Sequence, residues 1–452
     1  MDAGVRPGYV ERDVPTGERD RPNENGGGRA AMAVWDDLVG QERVVAQLAA
    51  AARDADAFVT AHAAAGTAAE AAHTPADTAA ESAIAAGSSM THAWLFTGPP
   101  GAGRATAARA FAAALQCVSP DRASGGVPGC GFCDGCHTAL VGTHADVDVI
   151  RTDQLTIGVK ETRELVRRAQ LSPAGGRWQV IVLEDADRLT EGAGNVLLKA
   201  VEEPAPRTVW LLCAPSTEDV LPTIRSRCRL LSLRTPPVDA VAELLVRRDG
   251  IEPALAAACA RATGGHIERS RRLATDERAR ARRMAVLKLP TRVDTVGGCL
   301  GAAQELIDAA TEDAKQVAEE LDARETEDLR AALGGTEGKR MPRGTAGAMK
   351  ELEDRQKRRA TRTQRDSLDL ALTDLAAFYR DVLAQQLGAA SAPTGPDLGL
   401  SAAESVGRLA ASSRPEQTLR RMEAILECRE ALDRNVAPLL AVEAMTLALR
   451  AG

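Results

Sequence analysis

Short apolar runs alternate with amphipathic stretches through the first half of the chain. The runs fall at residues 93–97, 147–151, 179–183 and 209–213. Helical spacing fills the intervals, in the stretch leading to 115, over 160–169 and over 193–203. Strands that alternate with helices predict a parallel α/β sheet. Ahead of them, 36–52 reads as a capped helix. Residues 55–89, mostly Ala with Gly, Thr, Ser and Asp, read as a low-complexity insertion with some helix and no assigned function. Beyond Pro236-Pro237 the strand pattern vanishes. Residues 240–287 predict a small helical unit. A longer helical region begins at Pro290 and reaches 450, broken by a Gly-rich basic stretch at 334–347. Within it the charged run 350–365 reads as a solvated helix face rather than a binding site.

Composition sharpens this picture. A length of 452 residues predicts two to four domains of ~100–200 residues each. Apolar residues make up 44% but aromatics only 2%, so the cores must be built from Ala, Leu and Val. The net charge of −7 excludes a uniformly basic nucleic-acid coat, though not a local basic face. No apolar run reaches the ~18 residues of a membrane span, and residues 1–31 hold no apolar secretory core. The expectation is a cytoplasmic chain with a disordered tail at 1–31, and with Met32 as an alternative start to Met1.

The first run leads into Gly98-Pro-Pro-Gly101-Ala-Gly103-Arg104-Ala105, which opens a helix. This is the context and frame of a phosphate loop, GxxxxGK[ST]. Its glycines let backbone N–H groups approach phosphate, and the helix N-terminus adds favourable dipole charge. Two positions depart from the frame. Arg104 stands where Lys reaches the β- and γ-phosphates, and Ala105 stands where Ser or Thr holds Mg²⁺. Thr106 comes one residue late. A structural turn and a weak, non-catalytic nucleotide site both remain open, and Mg²⁺-ATP binding is doubtful. The third run ends in Glu184-Asp185, the acidic pair of a Walker B segment in reversed order. The bland alternative is an acidic strand end facing solvent.

Cys117, Cys130, Cys133 and Cys136 share a C-x12-C-x2-C-x2-C spacing. Such turns suit one tetrahedral structural zinc ion closed by four thiolates, with a redox dithiol as the alternative. His137 and His144 are then unnecessary as ligands. The remaining cysteines, at 213, 228, 259, 299 and 428, read as small core residues. After the fourth run comes Ser226-Arg227-Cys228. An arginine there can project toward a neighbour's nucleotide, or it can be a surface residue in a turn.

The ordered set resembles the clamp-loader branch of the AAA+ ATPases. It comprises Asp37-Leu-Val-Gly-Gln41, the phosphate loop, the cysteine cluster, Glu184-Asp185, Asn195-Val-Leu-Leu-Lys-Ala-Val-Glu-Glu-Pro204 and Ser226-Arg227-Cys228. The resemblance is dense over 33–235. It thins to Ala262-Thr-Gly-Gly-His-Ile-Glu-Arg-Ser-Arg-Arg-Leu273, and beyond 290 rests on helicity alone. It implies a RecA-like AAA+ parallel-sheet domain at 32–235 that carries the zinc module at 117–136. It also implies a helical lid at 236–289 and an all-helical oligomerisation collar at 290–452. In that branch gamma/tau subunits hydrolyse ATP. A stator subunit keeps the fold with a broken phosphate loop and lends the Ser-Arg-Cys arginine to its neighbour. Arg104, Ala105 and Arg227 fit the stator, although the first cysteine loop is longer than typical. The implied partners are gamma/tau and delta subunits, the sliding clamp indirectly, and primer-template DNA inside the assembled ring, with no membrane. The alternatives are a gamma/tau-like motor and, more distantly, a zinc-dependent nucleic-acid-binding protein.

Overall fold

A computed structural model of the chain describes residues 33–72, 88–124, 126–152, 155–175, 177–332, 346–389 and 402–452. Helix α1 (Glu42–Ala72) leads to β1 (Ala93–Thr97), α2 (Arg104–Leu115), α3 (Asp134–Val141) and β2 (Val147–Ile150). Then come α4 (Val159–Ala169), β3 (Gln179–Leu183), α5 (Glu191–Glu202), β4 (Thr208–Ala214), the single turn α6 (Pro222–Arg225) and β5 (Arg229–Ser232). The strands form one parallel sheet in the order β2-β3-β4-β1-β5. The three inner strands are buried at every residue, because helices cover both faces. Alternate side chains divide between the two layers. Trp94, Phe96, Val180, Val182, Val209 and Leu211 pack with α1 and α2. Ala93, Leu95, Ile181, Leu183, Trp210 and Leu212 pack with α4 and α5. Each large side chain so buried contributes about 1.5–3 kcal/mol.

Two sequence expectations change here. Helix α1 does not stop near residue 52. Ala55 is fully buried, Phe58 stacks on Trp178 with ring centroids 5.8 Å apart, and Asp56 pairs with Arg122 and with Arg177 at 2.8 Å. The first part of the expected insertion 55–89 is therefore anchored to the α/β core. Residues 73–87 of that insertion, the tail 1–31, Met32 and most of 334–347 lie outside the described residues. Strand β5 is the second change. It pairs with β1 at the sheet edge, and its pattern is too short and too exposed to read as an apolar run.

The helical part comprises α7 (Val238–Asp249), α8 (Pro253–Ala262), α9 (Ile267–Thr275) and α10 (Glu277–Lys288), followed by α11 (Val296–Ala332) and α12 (Ala346–Gln386). Helices α13 (Ala403–Ser412), α14 (Pro415–Asp433) and α15 (Pro438–Ala451) complete it. Helix starts are defined chemically: Glu252 accepts from the N–H groups of Ala254 and Leu255 with Pro253 at the first position, and Asp276 accepts from Arg278. Small cores hold α7–α10 together. A separate core gathers α11, α12, α14 and α15 around Leu368, Leu372, Leu375, Tyr379 and Val382, a helical repeat on one face of α12.

The charged run 350–365 is not simply a solvated face. Helices α11 and α12 run antiparallel, and Leu352, Arg359 and Arg362 turn inward. Arg359 pairs with Asp322 and with Glu325 at 2.8 Å. Arg362 reaches back to the sheet domain.

Candidate functional site: a phosphate-loop frame and a four-cysteine cluster

The phosphate loop sits where β1 hands over to α2. Gly98, Gly101 and Gly103 take φ values of 150°, 84° and 87°, which a side chain would strain. Gly103 caps α2 with its backbone. The loop is crowded from both sides. A Cβ on Gly98 would lie 2.6 Å from the Leu233 carbonyl oxygen, and one on Gly101 would lie 2.5 Å from the His266 ring. His266 begins α9, where Nδ1 accepts from the Arg269 N–H. Burial, with Arg269 and Arg104 nearby, pulls its imidazole pKa down to about 4. It therefore lies over the loop as a neutral ring. Gln41, buried, locks the loop from below: its amide donates to the carbonyls of Ala102 and Arg234, at 3.3 and 2.5 Å, and accepts from the Arg234 N–H.

Arg104 does not extend into open space. Its guanidinium turns back and donates to the Gly98 carbonyl, so one of its N–H groups is engaged by the loop's own backbone. Ala105 follows with no oxygen to offer a metal, and Thr106 lies one residue further along α2. The acidic pair is occupied too. Glu184 Oε1 accepts from Arg109 Nε at 2.6 Å. Asp185 accepts the Thr152 N–H at 3.0 Å through Oδ2 and the Arg362 guanidinium at 3.4 Å through Oδ1, with Arg188 at 4.0 Å. Cys213 in β4 lies among Glu184, Arg104, Asp185 and Arg109, and burial pushes its thiol pKa far up. The structure thus gathers Gly98, Gly101, Gly103, Arg104, Ala105, Glu184 and Asp185 at one end of the sheet. It adds Arg109, His266 and Arg362, which sequence reasoning missed. Arg362 and His266 arrive from distant helices, so no local motif could mark them.

Arg227 stands elsewhere, just after α6. Its guanidinium donates to the Thr223 carbonyl at 2.8 Å and to Ser226 Oγ at 3.1 Å, and pairs with Glu202 Oε1 at 2.6 Å. Its side chain is 39% exposed, so it is held at the surface rather than in the core. Cys228 beside it is a packing residue, its thiol pushed up to about 12 by burial.

The four cysteine sulfurs lie within 4.8 Å of one another. Cys117 is 3.9 Å from both Cys130 and Cys133. A tetrahedron with metal–sulfur bonds of ~2.3 Å has edges of about 3.8 Å, whereas a disulfide needs ~2 Å. Backbone N–H groups of Val118 and Cys136 point at Cys133 Sγ, and that of Cys133 at Cys130 Sγ, at 3.4–3.5 Å. Donors aimed at sulfur suit thiolates. These four cysteines fit one metal ion, and no fifth ligand is needed. His144 accepts from the Asp146 N–H instead.

Comparisons with known proteins now bear on this geometry. Residues 78–237 match a family profile described as DNA polymerase III, delta subunit. The chain is 38% identical over 166 residues to the DNA polymerase III subunit delta-prime of Pseudomonas aeruginosa, a match covering 36% of this chain and 49% of that one. It is 36% identical over 148 residues to delta-prime of Escherichia coli, covering 32% and 43%. It is 35% identical over 159 residues to the gamma/tau subunit of Mycobacterium tuberculosis, covering 35% and 27%. The chain therefore spans about half or less of the length of these relatives. A Thermotoga maritima gamma subunit-related structure aligns over 79% of this chain and 93% of its own, at 17% identity and a TM-score of 0.34. Residues 78–237, which hold the phosphate loop, the four cysteines and Arg227, thus match the DNA polymerase III delta-subunit family profile, and over part of its length the chain is similar to both delta-prime and gamma/tau subunits.

Proposed function

We propose that this chain is a non-hydrolysing, structural subunit of a replicative clamp loader. The observation that carries the reading is that the cation and the two carboxylates a nucleotide and its Mg²⁺ would engage are already engaged within the chain. Arg104 is spent on Gly98, Glu184 on Arg109 and Asp185 on Arg362. Ala105 supplies no metal ligand, so the charge neutralisation that phosphoryl transfer requires has no site. In this reading Arg227 acts in trans, stabilising transition-state charge on the nucleotide of a neighbouring gamma/tau-like ATPase. Its exposure at the domain surface supports that role. Glu202, Thr223 and Ser226 hold its guanidinium until the neighbour docks. The partners are gamma/tau and delta subunits, and through them the sliding clamp and primer-template DNA. Helices α7–α10 act as the lid and α11–α15 as the assembling collar. Among the described residues no helix is long and apolar enough to cross a membrane, which is consistent with work in the cytoplasm beside DNA. The ion at Cys117, Cys130, Cys133 and Cys136 is zinc, and its role is purely structural, stapling the loop between α2 and α3.

The motor reading has one observation in its favour, the intact glycine frame in a domain also related to gamma/tau. Steady-state ATP turnover separates the two. The metal-replete chain alone is expected at background. In a reconstituted complex, Arg227→Ala should keep assembly and lower turnover by on the order of 10³-fold at the affected site. Robust Mg²⁺-dependent turnover by the isolated chain, or unchanged turnover in the Arg227→Ala complex, refutes the reading.

A further inference from the structure

Helix α12 touches both other parts of the chain through charged pairs. Arg362, its side chain 9% exposed, reaches Asp185 at the end of β3. About three turns further along, Asp374, 8% exposed, accepts Arg269 of α9 at 2.6 Å and also Arg283 of α10. Between these points α12 is braced against α11 by Gln364 on Thr311 and Ser367 on Asp313, both at 2.8 Å. Arg359 pairs with Asp322 and Glu325 one turn before Arg362. The helix therefore connects the acidic end of the sheet with α10 and with α9, which begins at His266. Beside the Arg362 contact the hairpin is separated from α4 by a cleft of about 1000 Å³ lined by Thr152, Lys160, Arg355 and Arg358.

We infer that α12 is an internal strut, and that Arg362 on Asp185 sets the angle between the sheet domain and helices α9–α10. Here a guanidinium occupies the place of the cation and holds one arrangement permanently. Arg362 is thus a positioning residue that acts through Asp185. Asp185, an acid with no metal to hold, has become the strut's foot. The inference rests on the proposed non-hydrolysing role, since a working Mg²⁺ site would need Asp185 free.

Hydrogen–deuterium exchange on the full, metal-replete chain tests it. Arg362→Ala removes a charge-assisted contact, and local opening should become about ten-fold more frequent. Exchange is expected to rise about that much in α12 over 359–374 and in α9 over 267–275, with unchanged overall helicity. Arg362→Lys should restore part of the protection. Asp185→Asn provides a second variant should Arg362→Ala fail to fold. It should loosen the same α12 and α9 segments, and the double variant should be no looser than either single one. Unchanged exchange in both segments, or single effects that add in the double variant, overturns the strut. The stator reading fails separately: it is lost if Arg227→Ala leaves a neighbour's turnover unchanged, whatever the exchange shows.

Discussion

Removing the Asp374 carboxylate should destabilise the junction between α9, α10 and α12 more than any exposed ion-pair loss would. Asp374 serves two guanidiniums at once, Arg269 and Arg283. Arg283 is 7% exposed and Arg269 20%. Burial pulls the Arg269 pKa down, Asp374 opposes that pull and Arg283 adds to it. Asp374→Ala therefore leaves two like charges facing each other with little water. Breaking a buried pair by deleting one partner costs ~3–5 kcal/mol. Two features place this site at the lower end. Arg283 keeps its bond to the Ala262 carbonyl at 2.8 Å, and Arg269 can swing toward solvent. The expected loss is about 3 kcal/mol for Asp374→Ala. Asp374→Asn keeps an acceptor but not the charge, and should lose about 2 kcal/mol. Urea denaturation of the full chain, followed by far-UV circular dichroism, measures both. An Asp374→Ala loss below ~1 kcal/mol, the range of an exposed pair, would refute the reasoning.

Two further outcomes follow from the site. A strong chelator should withdraw one zinc per chain and expose α3 and the 117–136 loop to protease. Cys136→Ser should do the same without chelator, because it removes one of the four thiolates; a metal content unaffected by Cys136→Ser would argue against a four-thiolate site. Acid should weaken the fold through His266. Its folded-state pKa lies near 4, below the ~6.5 of the unfolded chain, so the unfolded state binds the proton first as pH falls. The stability it contributes is complete above pH ~6.5 and is lost between there and ~4, about 2 kcal/mol of it by pH 5. The wild-type chain should lose that much more than His266→Asn between pH 7 and 5. Equal losses would mean that the imidazole takes up its proton in place.

Legibility in the sequence followed the range of the interaction. The inner strands read as apolar runs at 93–97, 179–183 and 209–213 because both sheet faces are covered. The edge strand Arg229–Ser232 did not, because Arg229 and Leu230 face outward and only Leu231 is buried. The cysteine spacing was sufficient because four cysteines close in sequence bring their sulfurs within 4.8 Å of one another. Helix α1 outran its expected end because Asp56 is held by Arg122 and Arg177, partners 66 and 121 residues away. The same limit hid the neutralisation of the acidic pair. Arg109 is one of several arginines on helices, and Arg362 lies 177 residues from Asp185 in a run that reads as solvent-facing. Periodicity marks which face of a helix is apolar. It carries no mark for an arginine that is buried because a carboxylate awaits it.

That distinction changes what repair of the phosphate loop would do. From the motif alone, Arg104→Lys with Ala105→Ser restores the missing cation and metal ligand, so activity should return. The structure argues otherwise. Glu184 and Asp185 are adjacent carboxylates with 9% and 18% of their side chains exposed. Without a metal, two such charges are stable only when paired. Arg109 and Arg362 supply the pairing, and they remain after the repair. Mg²⁺ would have to displace Arg362 from Asp185, and the His266 ring crowds the loop at Gly101, where an added Cβ would lie 2.5 Å from it. The repaired chain should therefore still turn over ATP at background. Adding Arg362→Ala and His266→Ala should be needed before Mg²⁺-dependent nucleotide binding appears by fluorescence titration. Hydrolysis by the two-site repair alone would show that the internal arginines yield readily to metal, and that the loop sequence by itself had silenced the site.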